Sequence, residues 1–176
     1  MKKLFVAVLT LLFSTVLFAG TFVNTTGSDD NTAISGYDPV AFYSDKKAVF
    51  GKPEFAFAHM GAKWVFASLE NLKLFQDNPD KYMPAWGGQC AWCVSENCIS
   101  PKKLSGSFDI IEGKLYLYAH GSNSRDGART GFWQSGGGVS RRIAEGNSYW
   151  ADIEKKLVND QLVQRNASNY RKTQFD

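Results

Sequence analysis

The residues of this chain best suited to chemistry are three cysteines within nine positions, Cys90, Cys93 and Cys98. The two-residue gap between Cys90 and Cys93 lets both sulfurs reach one ion from a helical turn or a tight loop. Soft thiolates select Cu(I) or Zn(II). His59, Met60, Met83 and His120 carry further soft-metal donors if folding brings them near. The same cysteines allow a structural disulfide between two of them, with the odd thiol left over. A thiol-redox site is a third use and calls for a lowered cysteine pKa. No β-α-β pattern precedes Cys90, so a thioredoxin-like context is missing. Val94, not histidine, follows Cys93, which excludes a c-type haem attachment. Metal site, disulfide and redox pair therefore all stay open.

Other constellations are weaker. His59 and Met60 read as a turn with Met packing on its hairpin, and a ligating imidazole would need an orienting partner. In Gly36-Tyr37-Asp38-Pro39 the Asp is expected to bond backbone N–H groups within a turn. Gly136-Gly137-Gly138 before Arg141-Arg142 could cradle an anion, but no Walker-type Lys follows and a linker explains it better. Neither a Ser-His-Asp order nor a His-Glu-x-x-His motif is present, and two histidines leave few general bases. Nothing in the sequence argues for an enzyme.

The elements that must hold these residues follow from periodicity. Val40–Tyr43 reads as extended. Phe55–Ala58 and Trp64–Ala67 alternate large and small and frame His59-Met60-Gly61-Ala62, so they form a β-hairpin. Ser68 caps a helix with Glu70 in its first turn and Leu69, Leu72 and Phe75 on one side. Asn78-Pro79 stops that helix and starts another turn. Ser107–Tyr118 forms a second hairpin turning at Glu112-Gly113. His120–Gly138 is the longest irregular stretch, and Trp150, Ile153 and Leu157 mark a C-terminal helix. No internal repeat is evident. Two hairpins with short, separate helices and a C-terminal helix give an α+β class.

The chain begins Met1-Lys2-Lys3, continues in an uncharged apolar run from Leu4 to Phe18, and reaches Ala19-Gly20. That is the pattern of a secretory signal peptide, 1–19, too short for a membrane anchor. A flexible leader (20–32), one domain (33–158) and a polar, fraying tail (159–176) should follow. The whole chain carries 20 basic and 17 acidic residues. Losing Lys2 and Lys3 brings it near neutrality, which argues against nucleic acid as partner. The expected location is periplasmic or secreted, with no stable membrane insertion after cleavage. Disulfides persist in such a compartment.

The ordered motifs Ala33–Tyr43, Phe55–Phe66, Ser68–Asn71 with Asn78-Pro79-Asp80-Lys81-Tyr82, Trp86-Gly87-Gly88-Gln89-Cys90-Ala91-Trp92 and Glu112–Leu117 resemble those of periplasmic YHS-domain proteins. The likeness spans about residues 33–152. It implies a small α+β domain and an association with copper or other heavy metals. Relatives place a Cys after Asp-Pro-Val and more Cys between hairpin and helix. Here Ala41 and Ala67-Ser68 stand there, so only Cys90 matches a cysteine of the periplasmic subgroup, and Cys93 and Cys98 are additions. The expected ligand set is Cys90, Cys93 and Cys98, with His59 and Met60 in reserve, for Cu(I) or Zn(II). The alternatives are a disulfide-pinned structural or interaction module with a periplasmic protein partner, and a thiol-redox protein.

Overall fold

A computed structural model describes residues 22–120, 127–134 and 137–173 of the chain, and the proposed signal segment lies outside them. The architecture is α+β. Strands β1 (Lys52–His59) and β2 (Ala62–Phe66) form one antiparallel hairpin, and β3 (Leu104–Ile111) and β4 (Lys114–Ala119) form another. Short helices α1 (Ala41–Ser44), α2 (Leu69–Asp77), α3 (Pro79–Tyr82), α4 (Ala91–Ser95) and α5 (Gly127–Gln134) surround them, and α6 (Gly138–Thr173) closes the chain.

Local chemistry accounts for most of these boundaries. The Ser68 hydroxyl accepts the Asn71 N–H at 3.1 Å and starts α2. The Asn78 side chain accepts the Lys81 N–H, and Pro79 takes the first position of α3, where it costs no hydrogen bond. Both hairpins turn on two residues of positive φ, Met60-Gly61 and Glu112-Gly113. Such turns match the right-handed twist of the strands they join.

Four expectations differ from the structure. Val40–Tyr43 is not extended, because α1 begins at Ala41. The buried Asp38 carboxylate accepts the N–H groups of Val40 (2.8 Å) and Ala41 (3.2 Å), which satisfies donors that a helix start leaves open. The leader is anchored at its start, where Phe22, Val23 and Asn24 are buried. Asn24 donates its backbone N–H to the Gly87 carbonyl and its side-chain N–H to the Gly88 carbonyl. Within the stretch read as irregular, Gly127–Gln134 is helical, with Ala128 and Phe132, one helical turn apart, both buried. The polar tail likewise continues α6 as far as Thr173.

A repeat hidden from the sequence governs the fold. Ala33–Gly36 and Ala85–Gly88 are two tight turns with left-handed backbone at the same places: Ile34, Ser35 and Gly36 in one, Trp86, Gly87 and Gly88 in the other. Each leads into a short helix and then a hairpin. Positions 52 apart correspond throughout, as in Ala33 and Ala85, Lys52 and Leu104, Met60 and Glu112. The pairing registers match as well: Ala56 with Val65 and Phe108 with Leu117, each behind a strand irregularity beginning at Lys52 or Leu104. Only Ala33/Ala85, Gly36/Gly88, Gly61/Gly113 and Ala67/Ala119 keep the same residue, so the relation lies in backbone geometry.

Strand β4 divides the interior. Leu115 and Leu117 face a core with Phe42, Trp64, Phe66 and Phe75. Tyr116 and Tyr118, pointing the other way, face a second core with Trp86, Cys90, Val94, Phe132 and Ile153.

Candidate functional site

The cysteine segment begins where the second left-handed turn ends. Gly88 has φ +79°, and a Cβ there would lie 2.7 Å from the Ile34 side chain, so glycine is required for the turn to close. Cys90 then bridges to Leu117 of β4 and stands at the start of α4. Val94 N–H donates to the Cys90 carbonyl and Cys98 N–H to the Cys93 carbonyl, at 3.0 and 2.8 Å. The backbone thus stacks the three cysteines turn over turn.

Their sulfurs form a row running outward. Cys90 is buried, Cys93 is half-buried and Cys98 is exposed. All three are free thiols. The Cys93 side chain hydrogen-bonds with Cys90 on one side and Cys98 on the other. The Cys93 hydrogen bond lowers the Cys90 thiol to about 6, helped by backbone N–H donors of Ala119, Cys93 and Trp92, against the opposing effect of burial. Cys93 is pushed up in turn, first by its bond to Cys90 and then by burial. The two shifts have opposite signs, with Cys90 the more acidic of the pair.

The repeat explains why Cys90 can hold charge. Asp38 and Cys90 are equivalent, each two residues beyond the glycine that ends its left-handed turn. The Asp38 carboxylate accepts N–H groups two and three residues ahead, and Cys90 stands at the corresponding place at the start of α4. Asp38 receives two more bonds through its other oxygen, from Ala67 N–H and Asn71 Nδ2, both at 2.7 Å. The same backbone position therefore carries a carboxylate in the first unit and a thiol in the second.

The reserve ligands sit elsewhere. The His59 ring stacks near Phe57 and lies edge-on to Phe75, in the first core, on the other side of β4 from Cys90. Met60 is exposed at the hairpin tip. Met83 is buried with the first core. Among the described residues no group of three His, Cys, Asp or Glu is arranged to hold a metal ion. Arg141 and Arg142, read above as a possible anion cradle, are instead engaged by Glu145 and Glu96.

The sequence did not announce the ion pair between Glu96 and Arg142, which ties this segment to α6. Nor did it announce the Arg129–Asp109–Tyr118 network, which docks α5 on the second hairpin. There Arg129 donates to both Asp109 oxygens (3.0 and 2.6 Å), and the Tyr118 hydroxyl donates to one of them at 3.0 Å. The charge pair Asp109 and Arg129 lies 20 residues apart, and only the α5 register brings it together. No family model, curated protein or solved structure matches this chain.

Proposed function

We propose that this chain is an exported YHS-type domain that binds a soft monovalent metal ion, Cu(I), through the Cys90 and Cys93 thiolates. The observation that carries the reading is that Cys90, at the start of α4, and Cys93 share that helix's first turn, closed by the Val94 N–H on the Cys90 carbonyl at 3.0 Å. Two thiolates suit Cu(I), whereas a structural Zn(II) site takes four ligands in a tetrahedron. His59 and Met60 are not gathered with the thiols, so the reading narrows to a two-sulfur site and to Cu(I).

The repeat adds support. Ala41 stands where the resembling family carries a ligand cysteine, and its equivalent in the second unit is Cys93. The thiol missing from the first unit is present in the second. Bound Cu(I) would supply a soft acid that draws both sulfurs into anionic form. The chain supplies burial at Cys90, backbone donors to its charge and a half-open approach at Cys93.

The test is Cu(I) titration of the fully reduced full chain against a competing chromophoric chelator. About one ion per chain is expected, with at least tenfold weaker binding in Cys90→Ser and in Cys93→Ser. Equal uptake by wild type and the double variant would refute the reading.

A further inference from the structure

The metal pair uses two of the three thiols, and the third stands in line with them. Cys98 is exposed, and its backbone N–H is held by the Cys93 carbonyl at 2.8 Å, which keeps the two residues beside each other. Cys93 is therefore the shared member of two adjacent thiol pairs, one opening to solvent and one facing the core. We infer that Cys98 and Cys93 form a thiol–disulfide exchange site that takes disulfide substrates at the surface and, when oxidised, removes Cys93 from the buried pair.

The chemistry balances without any other reagent. The Cys98 sulfur attacks one sulfur of a disulfide RSSR, forming a Cys98–SR mixed disulfide. The first RS leaves as thiol, taking the Cys98 proton. The Cys93 sulfur then attacks the Cys98 sulfur, forming the Cys93–Cys98 disulfide, and the second RS leaves with the Cys93 proton. Two electrons pass from the protein thiols to RSSR, and two RSH are released. Cys90 can next attack Cys93, moving the disulfide to Cys90–Cys93 and regenerating the Cys98 thiol with no net redox change. Either product contains Cys93, so either removes a thiolate from the metal pair.

Access sets the order. Exchange rates depend on which sulfur an incoming disulfide can reach, and of the three only Cys98 is exposed. Control of the metal rests on the Cu(I) reading above, but the exchange itself does not.

Oxidised glutathione is the probe, applied to the reduced, metal-free full chain, with products mapped by non-reducing peptide mass spectrometry. Wild type should release two glutathione per chain and end with one internal disulfide containing Cys93. Cys93→Ser should stop at a glutathione adduct on Cys98. Cys98→Ser, a change at an exposed side chain, should slow oxidation about tenfold or more. The exchange is overturned if Cys98→Ser oxidises as fast as wild type, or if wild type accumulates a stable Cys98 adduct. Cu(I) titration of the reduced and oxidised forms runs in parallel. No uptake by the reduced form sinks the metal reading and leaves the exchange result standing. Equal uptake by both forms overturns the control of metal by oxidation.

Discussion

Arg142 of α6 places its Nη1 2.5 Å from Glu96 Oε1, at the end of α4 between Cys93 and Cys98. The Arg142 side chain is 13% exposed and Glu96 is 46% exposed, so the arginine is the partner that burial commits. Its guanidinium also reaches Glu145 at 3.3 Å. The longest helix is thereby fastened to the loop that carries the thiols.

Arg142→Met should destabilise the protein by about 1–2 kcal/mol, because the buried stem is kept but Glu96 loses its partner and Glu145 is left with Arg141 alone. Glu96→Gln should cost less than about 1 kcal/mol, since Glu145 still neutralises Arg142. Urea denaturation of both variants gives the comparison. A larger loss at Glu96 would reverse the assignment.

Asp38 gives a sharper expectation. Its buried carboxylate receives four hydrogen bonds, joining α1 to the residues that follow β2 and to α2. Asp38→Ala leaves several buried donors without an acceptor and should cost about 3–5 kcal/mol. Asp38→Asn should also destabilise, because an amide N–H would face N–H groups. Thermal unfolding followed by circular dichroism measures both.

At Gly146 the usual rule should change sign. Replacing a helical glycine by alanine ordinarily stabilises by about 1 kcal/mol. Here a Cβ would fall 2.4 Å from the Trp86 indole, whose Nε1 donates to Asn147 Oδ1 at 3.1 Å. Gly146→Ala should therefore destabilise by about 1–3 kcal/mol through overpacking. Near-ultraviolet circular dichroism, which reports the tryptophan environment, should change with it.

The pH profile of stability should carry the mark of Cys90. Its folded pKa is depressed, so its contribution is complete above the ordinary thiol value near 9 and is lost as pH falls through about 6. Reduced, metal-free wild type should gain about 1–3 kcal/mol across that interval. Cys90→Ser should show no such gain. Above that range the raised Cys93 pKa acts in the opposite sense, so the gain ends there.

Hairpins, caps and the class of fold were legible in the sequence because each has a local cause. Ser68 and Asn78 announce helix starts, and Gly61 and Gly113 sit in turns that need positive φ. The row of three thiols was partly legible, since spacing alone put Cys90 and Cys93 on one turn. Burial order was not, because it depends on β4 passing beside Cys90. The α1 helix was missed because Val40–Tyr43 has strand-like composition and the deciding interaction is the Asp38 cap. The 52-residue repeat was invisible because it is written in φ and ψ. Ile34 and Trp86 adopt left-handed backbone that neither residue type announces.

Two copies of one backbone turn carry two different acids, Asp38 and Cys90. A carboxylate at Asp38 keeps one bonding state and works as a rivet. A thiol at Cys90 is the more reactive group, and the proposed metal and exchange chemistry draws on that difference. Because Cys90 bridges to Leu117, whose side chain faces the first core, a change of state at Cys90 bears on the strand that both halves of the molecule share.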